Sequence, residues 1–185
     1  MSEVSDAPDR LPGELSREAE VARMIRVDQA GEFGATRIYA GQLAILEGRA
    51  SGDVIGHMAR QEKEHLDKFD ALMNERQVRP TALAPLWHVA GYALGAATAL
   101  MGEKAAMACT VAVEDVIDDH YTRQADRLGE DEGELKALIE ECRADERAHK
   151  ESALGEGAEQ TPGYPVLSGA IKAGSRLAIW LSERV

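Results

Sequence analysis

Glu62-Lys-Glu-His65 and Glu146-Arg-Ala-His149 are two copies of Glu-x-x-His, set 84 residues apart. In a helix, residues i and i+3 share a face, so each pair can offer a carboxylate and an imidazole to one metal centre. The motif alone says little, because 21 Glu and 5 His in 185 residues produce about 0.6 such pairs by chance. Its surroundings say more. Ile55, Met58, Glu62, His65, Phe69 and Leu72 are spaced by threes and fours, the inward seam of a bundled helix, and Leu135, Ile139, Cys142, Glu146, His149 and Ala153 repeat the pattern. Both motifs therefore occupy positions where apolar side chains belong. An ionised carboxylate buried there without a partner is strongly destabilising, so something positive has to neutralise it.

Two further long segments each supply one acid to match. Met107, Val111, Glu114, Ile117, Tyr121, Ala125 and Leu128 form a seam broken only by Glu114 and a tyrosine hydroxyl, and Ile25, Asp28, Glu32, Ala35 and Tyr39 form a shorter, more polar one. Glu32 and Glu114 are 82 residues apart, His65 and His149 are 84 apart, and a tyrosine follows each single Glu by seven. This is an internal two-helix repeat. One Glu from each of two helices plus a Glu-x-x-His from each of two others is the donor set of ferritin-like di-iron and di-manganese bundles. In that pattern Glu62 and Glu146 bridge the metals, Glu32 and His65 complete one position, and Glu114 and His149 complete the other. Four carboxylates also balance two divalent ions, with the imidazoles as neutral donors. A salt-bridged reading of the four acids needs Lys or Arg on the same faces, and the seams hold none.

The rest of the chain fits an all-α bundle. Helical spacing predicts α1 over 16–48, α2 over 53–76, α3 over 83–101, α4 over 103–128, α5 over 133–154 and α6 over 166–182, separated by short Gly, Pro and Asp breaks, with no hairpin-like alternating runs. Residues 1–15 read as a flexible lead-in without the charged start and apolar run of a secretory signal, and 16–185 as a single domain. The chain carries 33 Asp+Glu against 21 Lys+Arg, a formal charge of -12, and no basic cluster, which argues against a nucleic-acid partner. Two cysteines without C-x-x-C spacing exclude a disulfide framework.

Two segments bear on membranes. Residues 80–102 contain no Asp, Glu, Lys or Arg, long enough to nominate a transmembrane span. A span, however, would put α2 and α4 on opposite sides of the bilayer, where they could not share a metal pair, so the segment is better read as the crossover joining two hairpins. In α6, Lys172, Arg176 and Arg184 oppose only Glu183, and Leu167, Ala170, Ile171, Gly174, Leu177, Ala178 and Leu181 make one apolar face, a pattern that suits a bilayer interface, docking on a partner, or plain cover for the core. Asp145 either accepts the free ring N–H of a ligating histidine or stands idle as an exposed helix acid. Gly31 and Gly34 flank Glu32, where they either leave room for oxygen or substrate or allow close helix packing. Packing is the favoured role for Tyr39 and Tyr121, and His57, His88 and His120 are read as structural.

Arg26-Val-Asp-Gln-Ala-Gly-Glu-Phe-Gly-Ala-Thr-Arg-Ile-Tyr-Ala-Gly-Gln42, Glu62-Lys-Glu-His65, Ala112-Val-Glu-Asp-Val-Ile-Asp-Asp-His-Tyr121 and Asp145-Glu-Arg-Ala-His149 closely resemble the demethoxyubiquinone hydroxylases of ubiquinone biosynthesis, and Ala173–Arg184 resembles that family's last helix. The resemblance runs from about residue 23 to the end and includes Glu32, Glu62, His65, Glu114, Glu146 and His149. It implies a ferritin-like fold with a long crossover helix, a pair of iron ions, and O2-dependent hydroxylation of the ring of a prenylated demethoxyubiquinol. It further implies NADH or another reductant, peripheral attachment through α3 and α6 at the cytoplasmic face of the cell membrane or, in a mitochondrion, the matrix face of the inner membrane, and contact with other ubiquinone-biosynthesis proteins. The chain has no G-x-G-x-x-G, so NADH binding here is unconventional or electrons arrive through the quinone or a partner. The residues themselves leave open a ferritin-like iron-binding or ferroxidase protein without an organic substrate.

Overall fold

The computed structural model describes residues 13–185, so most of the 1–15 lead-in lies outside the described residues. Six helices follow: α1 Arg17–Leu46, α2 Ala50–Glu75, α3 Ala84–Leu100, α4 Glu103–Ala125, α5 Gly133–Gly155 and α6 Tyr164–Ser182. Their ends fall within a few residues of the sequence expectation, and no strand occurs among the described residues. The Ser16 hydroxyl starts α1 by accepting the Ala19 amide at 3.1 Å. Gly102, at φ +121°, makes the reversal between α3 and α4 in a backbone conformation closed to ordinary side chains.

The bundle is ferritin-like, with α1, α2, α4 and α5 as its four core helices. Helices α1 and α4 run antiparallel, as do α2 and α5. The first pair is seen in Gln42 donating to the Ala106 carbonyl and Tyr39 to Glu114, the second in Lys68 bonding Glu141 and Arg76 bonding Glu132. Outside this core, α3 lies along α1 and α6 along α4. The repeat therefore has three helices in each half, with α6 the counterpart of α3. Trp87 Nε1 donates to the Ser182 hydroxyl at 3.0 Å and Thr81 to the Val185 carbonyl at 2.8 Å, joining the start of α3 to the end of α6.

Helix α3 is seated backbone against backbone. A Cβ on Gly95 would lie 1.9 Å from the Ile38 carbonyl oxygen, and one on Gly41 would lie 2.2 Å from that of Tyr92. Only Gly95, Thr98 and Ala99 of α3 are buried, and Val89 and Leu100 are 64% and 73% exposed. No helix among the described residues is long and apolar enough to cross a membrane, in keeping with the crossover reading.

The expected apolar face of α6 is divided. Its buried side chains are Ser168, Ile171 and Ser182: Ile171 packs against Cys109, Ala112 and Val113 of α4, Ser182 accepts from Trp87 of α3, and Leu177 is left exposed beside Val166 and Trp180. The helix is also less basic than its sequence implies, since Lys172 pairs with Asp115 and Arg184 with Glu183.

Two apolar clusters fill the bundle. One holds Tyr39, Leu46, Ile55, Met58 and Met107, and the other holds Met24, Phe69, Tyr121, Leu135 and Ile139. Glu32, Glu62, Glu114 and Glu146 lie between them, all buried.

Candidate metal centre

The six expected residues converge on one place. Glu32, Glu62, His65 and Glu146 have potential donor atoms within 4.8 Å of one another, and so do Glu62, Glu114, Glu146 and His149. Glu62 and Glu146 belong to both groups. Glu146 faces both ways, with Oε1 3.5 Å from His65 Nδ1 and Oε2 3.4 Å from His149 Nδ1. The two ring nitrogens also approach Glu32 Oε2 at 3.6 Å and Glu62 Oε1 at 3.1 Å.

The donor atoms are conspicuously unsatisfied. Glu32 Oε2, both oxygens of Glu62, His65 Nδ1, Glu114 Oε2, both oxygens of Glu146 and His149 Nδ1 are buried with no hydrogen-bond partner. Buried polar groups ordinarily find partners, and eight failures at one point mark a place built for something other than a hydrogen bond. No Lys or Arg among the described residues pairs with these acids, and the hard oxygen and imidazole donors suit divalent iron or manganese.

Burial and mutual repulsion raise three of the acids. Glu62 is pushed well above the usual carboxylate range by burial and then by the charges of Glu146, Glu32 and Glu114. Glu114 is raised by burial and by Glu146, and Glu146 by burial. For His65, burial works downward, but contact with Glu146 and Glu32 overrides it and lifts the ring to about 11. His149 is lowered, chiefly by burial. A pair of divalent cations bound here would take the place of those protons.

Hydrogen bonds from the opposite half of the repeat hold the donors. His65 Nε2, on α2, meets Asp145 Oδ2 of α5 at 3.0 Å, and His149 Nε2, on α5, meets Gln61 Oε1 of α2 at 3.2 Å. These contacts turn both Nδ1 lone pairs inward. The Tyr39 hydroxyl of α1 donates to Glu114 Oε1 at 2.6 Å, and that of Tyr121 on α4 donates to Glu32 Oε1. Asp145 takes the first of its two expected roles, whereas Tyr39 and Tyr121 do more than pack. Gln61 escaped the sequence reading although the 84-residue offset carries Asp145 onto it. His120 is structural, lying 3.2 Å from buried Asp28 and 2.9 Å from Gln124, and Cys142 is a buried thiol near Glu32 and His65.

Two cavities open among the helices. One, about 260 Å³, lies between α1, α3, α4 and α6; its wall includes Gly31 and Gly34, Trp87 and Gly91, and Val113 and Ile117 either side of Glu114. No atom lies within 4 Å of where a Cβ on Gly31 or Gly34 would sit, so these glycines leave space rather than close a helix contact. The other cavity, about 300 Å³, gathers Arg23, Arg123, Arg127 and Arg176 around His120 and Trp180.

The family model described as ubiquinone biosynthesis protein COQ7 matches residues 19–182. A 3-demethoxyubiquinol 3-hydroxylase of Rhodospirillum rubrum is 60% identical over 97% of this chain and 85% of its own length. The human mitochondrial NADPH-dependent 3-demethoxyubiquinone 3-hydroxylase is 53% identical over 90% of this chain and 79% of its own. The mitochondrial 5-demethoxyubiquinone hydroxylase of Saccharomyces cerevisiae is 40% identical over 88% and 77%. With a ferritin-like bundle folded around two Glu-x-x-His motifs and a match across nearly the whole chain, this protein belongs to the COQ7 family of ubiquinone biosynthesis proteins.

Proposed function

We propose that residues 16–185 act as one unit, an O2-dependent di-iron monooxygenase that hydroxylates the ring of a prenylated demethoxyubiquinol. The chain is a hydroxylating enzyme of ubiquinone biosynthesis, like the relatives named above. The metal assignment rests on one observation: Glu146 turns its two oxygens toward two different histidines, as a bridging carboxylate does. Glu62 and Glu146 would bridge the irons, with Glu32 and His65 on one and Glu114 and His149 on the other. Bound iron supplies the capacity to activate O2 and pass one oxygen atom to the ring.

The chain's own residues do the remaining work. Tyr39, Tyr121, Asp145 and Gln61 orient the donors, and the apolar clusters on both sides exclude water. The cavity beside Gly31, Gly34 and Val113 takes the quinol ring, and its opening between α3 and α6 leads the prenyl tail toward an apolar surface. That surface carries Leu86, Val89, Leu100, Val166 and Trp180, and attaches the enzyme peripherally to the cytoplasmic face of the cell membrane, or to the matrix face of the inner membrane in a mitochondrial setting. An anionic reductant such as NADH has a cationic berth at the four-arginine cavity, which needs no glycine-rich fingerprint. The exposed faces of α3 and α6 also leave surface for other ubiquinone-biosynthesis proteins.

Two measurements test this. Purified protein should hold two irons per chain, and Glu62→Ala with Glu146→Ala should abolish that content; iron retained by the double variant refutes the site. Deleting the gene should accumulate a demethoxyubiquinone, and a normal quinone profile refutes the substrate.

A further inference from the structure

The hydrogen bonds behind the two histidines match in position and differ in charge. Asp145 stands one residue before Glu146 and holds His65; Gln61 stands one residue before Glu62 and holds His149. Position for position in the repeat, a carboxylate in one half faces an amide in the other. We infer that the two metal positions are unequal, and that Asp145 makes the Glu32–His65 position the tighter one. This rests on the metal-centre reading and goes beyond it by ranking the two halves.

The physical reason lies at the far ring nitrogen. Each imidazole directs Nδ1 to the centre and presents Nε2–H outward. An ionised acceptor draws that proton more strongly than a neutral amide, leaving more electron density at Nδ1 for a cation. Asp145 is well placed to act this way. Its side chain is 36% exposed, it forms no ion pair with Lys or Arg among the described residues, and its short contact is with the buried His65 ring. It also adds one negative charge near the first metal that Gln61 does not add near the second. Other contacts are alike in the two halves: each has a terminal glutamate bonded by a tyrosine from the opposite half, and both share Glu62 and Glu146. Two other differences lie on the same side, and Asp145→Asn changes neither: Cys142 stands where the repeat offset puts Met58 in the other half, and buried Asp28, paired with His120, stands near Glu32 where the offset puts Thr110.

Calorimetric titration of the metal-free full-length protein with Co(II) under argon reads the difference directly. Two binding steps should appear, separated by about tenfold or more in affinity, the scale on which outer hydrogen-bond partners tune metal sites. Glu32→Ala should remove the tighter step and Glu114→Ala the weaker. Asp145→Asn, which keeps shape and loses charge, should weaken the tighter step by about tenfold. Gln61→Glu should tighten the weaker step, approaching the same point from the other side should the Asn variant fold poorly. Cys142→Ala should leave the separation in place. Equal affinities in the wild-type protein, a tighter step unmoved by Asp145→Asn, or a separation lost with Cys142 would each overturn the inference while leaving the metal centre intact. A wild-type protein that binds no Co(II) overturns the metal-centre reading, and this inference with it.

Discussion

Tyr121→Phe isolates what a hydroxyl contributes at the centre, because it deletes one oxygen and keeps the ring that stacks on Phe69. The change strips Glu32 Oε1 of its donor inside a buried cluster, and an orphaned buried acceptor costs about 1–3 kcal/mol. Denaturant unfolding of the metal-free variant should show that loss, and an unchanged midpoint would contradict it. The titrating groups give a second expectation. Glu62, Glu114 and Glu146 are raised by burial first, and His65 sits at about 11 because Glu146 and Glu32 override its burial. Each folded-state pKa lies above its unfolded value, so the stability these groups contribute is fully present below the unfolded value and lost as pH climbs toward the folded one. For the carboxylates this loss begins near about pH 4.3, and for His65 near about 6.5. Above about pH 6.5, where the lowered His149 is neutral in the folded and unfolded chain alike, melting temperatures of metal-free protein should therefore fall as pH rises. Metal binds the deprotonated donors, so loaded protein should escape the decline and loading should release protons. A metal-free protein that gains stability with rising pH would show that the acids are not buried together.

At the scale of helices, the glycines separate two kinds of space. Gly95→Ala drives a methyl into the Ile38 carbonyl and has to lift α3 from α1, an overpacking cost of about 1–3 kcal/mol. Gly31→Ala meets no atom and removes backbone freedom from α1, so it should stabilise by about 0.5–1 kcal/mol while narrowing the cavity beside Glu32 and raising KM for the quinol. Thermal melts and steady-state kinetics on the two variants check both signs. The same contrast explains how far the sequence could be read. Periodicity located the six helices, because each core helix carries one apolar stripe, and it found Glu32, Glu62, Glu114 and Glu146 as acids standing where apolar residues belong. The repeat offset was enough to pair the halves. It could not show that α3 and α6 are equivalent, because a backbone-to-backbone seat through Gly41 and Gly95 and a seat through Ile171 against Cys109, Ala112 and Val113 share no side-chain pattern. Tyr39 and Tyr121 looked like packing residues for a similar reason: each bonds a carboxylate in the other half, and spacing along one helix carries no record of a partner 75 or 89 residues away.

Over the whole molecule, the charge of -12 and the apolar surface point to one kind of membrane contact. Five of the 33 acids, Asp28, Glu32, Glu62, Glu114 and Glu146, are buried, so the exposed surface is less acidic than the formula, yet it remains net negative and would be repelled by anionic lipid. The sequence of α6 suggests basic attraction as a remedy. In the folded protein Lys172 shares Asp115 with Lys150, Arg184 pairs with Glu183, and Arg176 lines the mouth of the arginine cavity, so the basic groups are partly compensated rather than gathered on one outward stripe. The outward faces of α3 and α6 are mostly apolar, with Leu86, Val89, Leu100, Val166 and Trp180 all at least half exposed and His88 and Arg176 the polar exceptions. Adsorption to a bilayer should therefore be driven by apolar burial rather than charge. Flotation with neutral phosphatidylcholine vesicles should recover the protein, and about 1 M salt, which shortens the Debye length to about 3 Å, should leave recovery unchanged. Val89→Glu with Val166→Glu should abolish flotation while leaving metal content intact, since both side chains are solvent-exposed and neither belongs to the buried donor groups. If recovery instead required anionic lipid and collapsed in salt, the contact would be electrostatic, and the arginine cavity would replace α3 as the surface that meets the membrane.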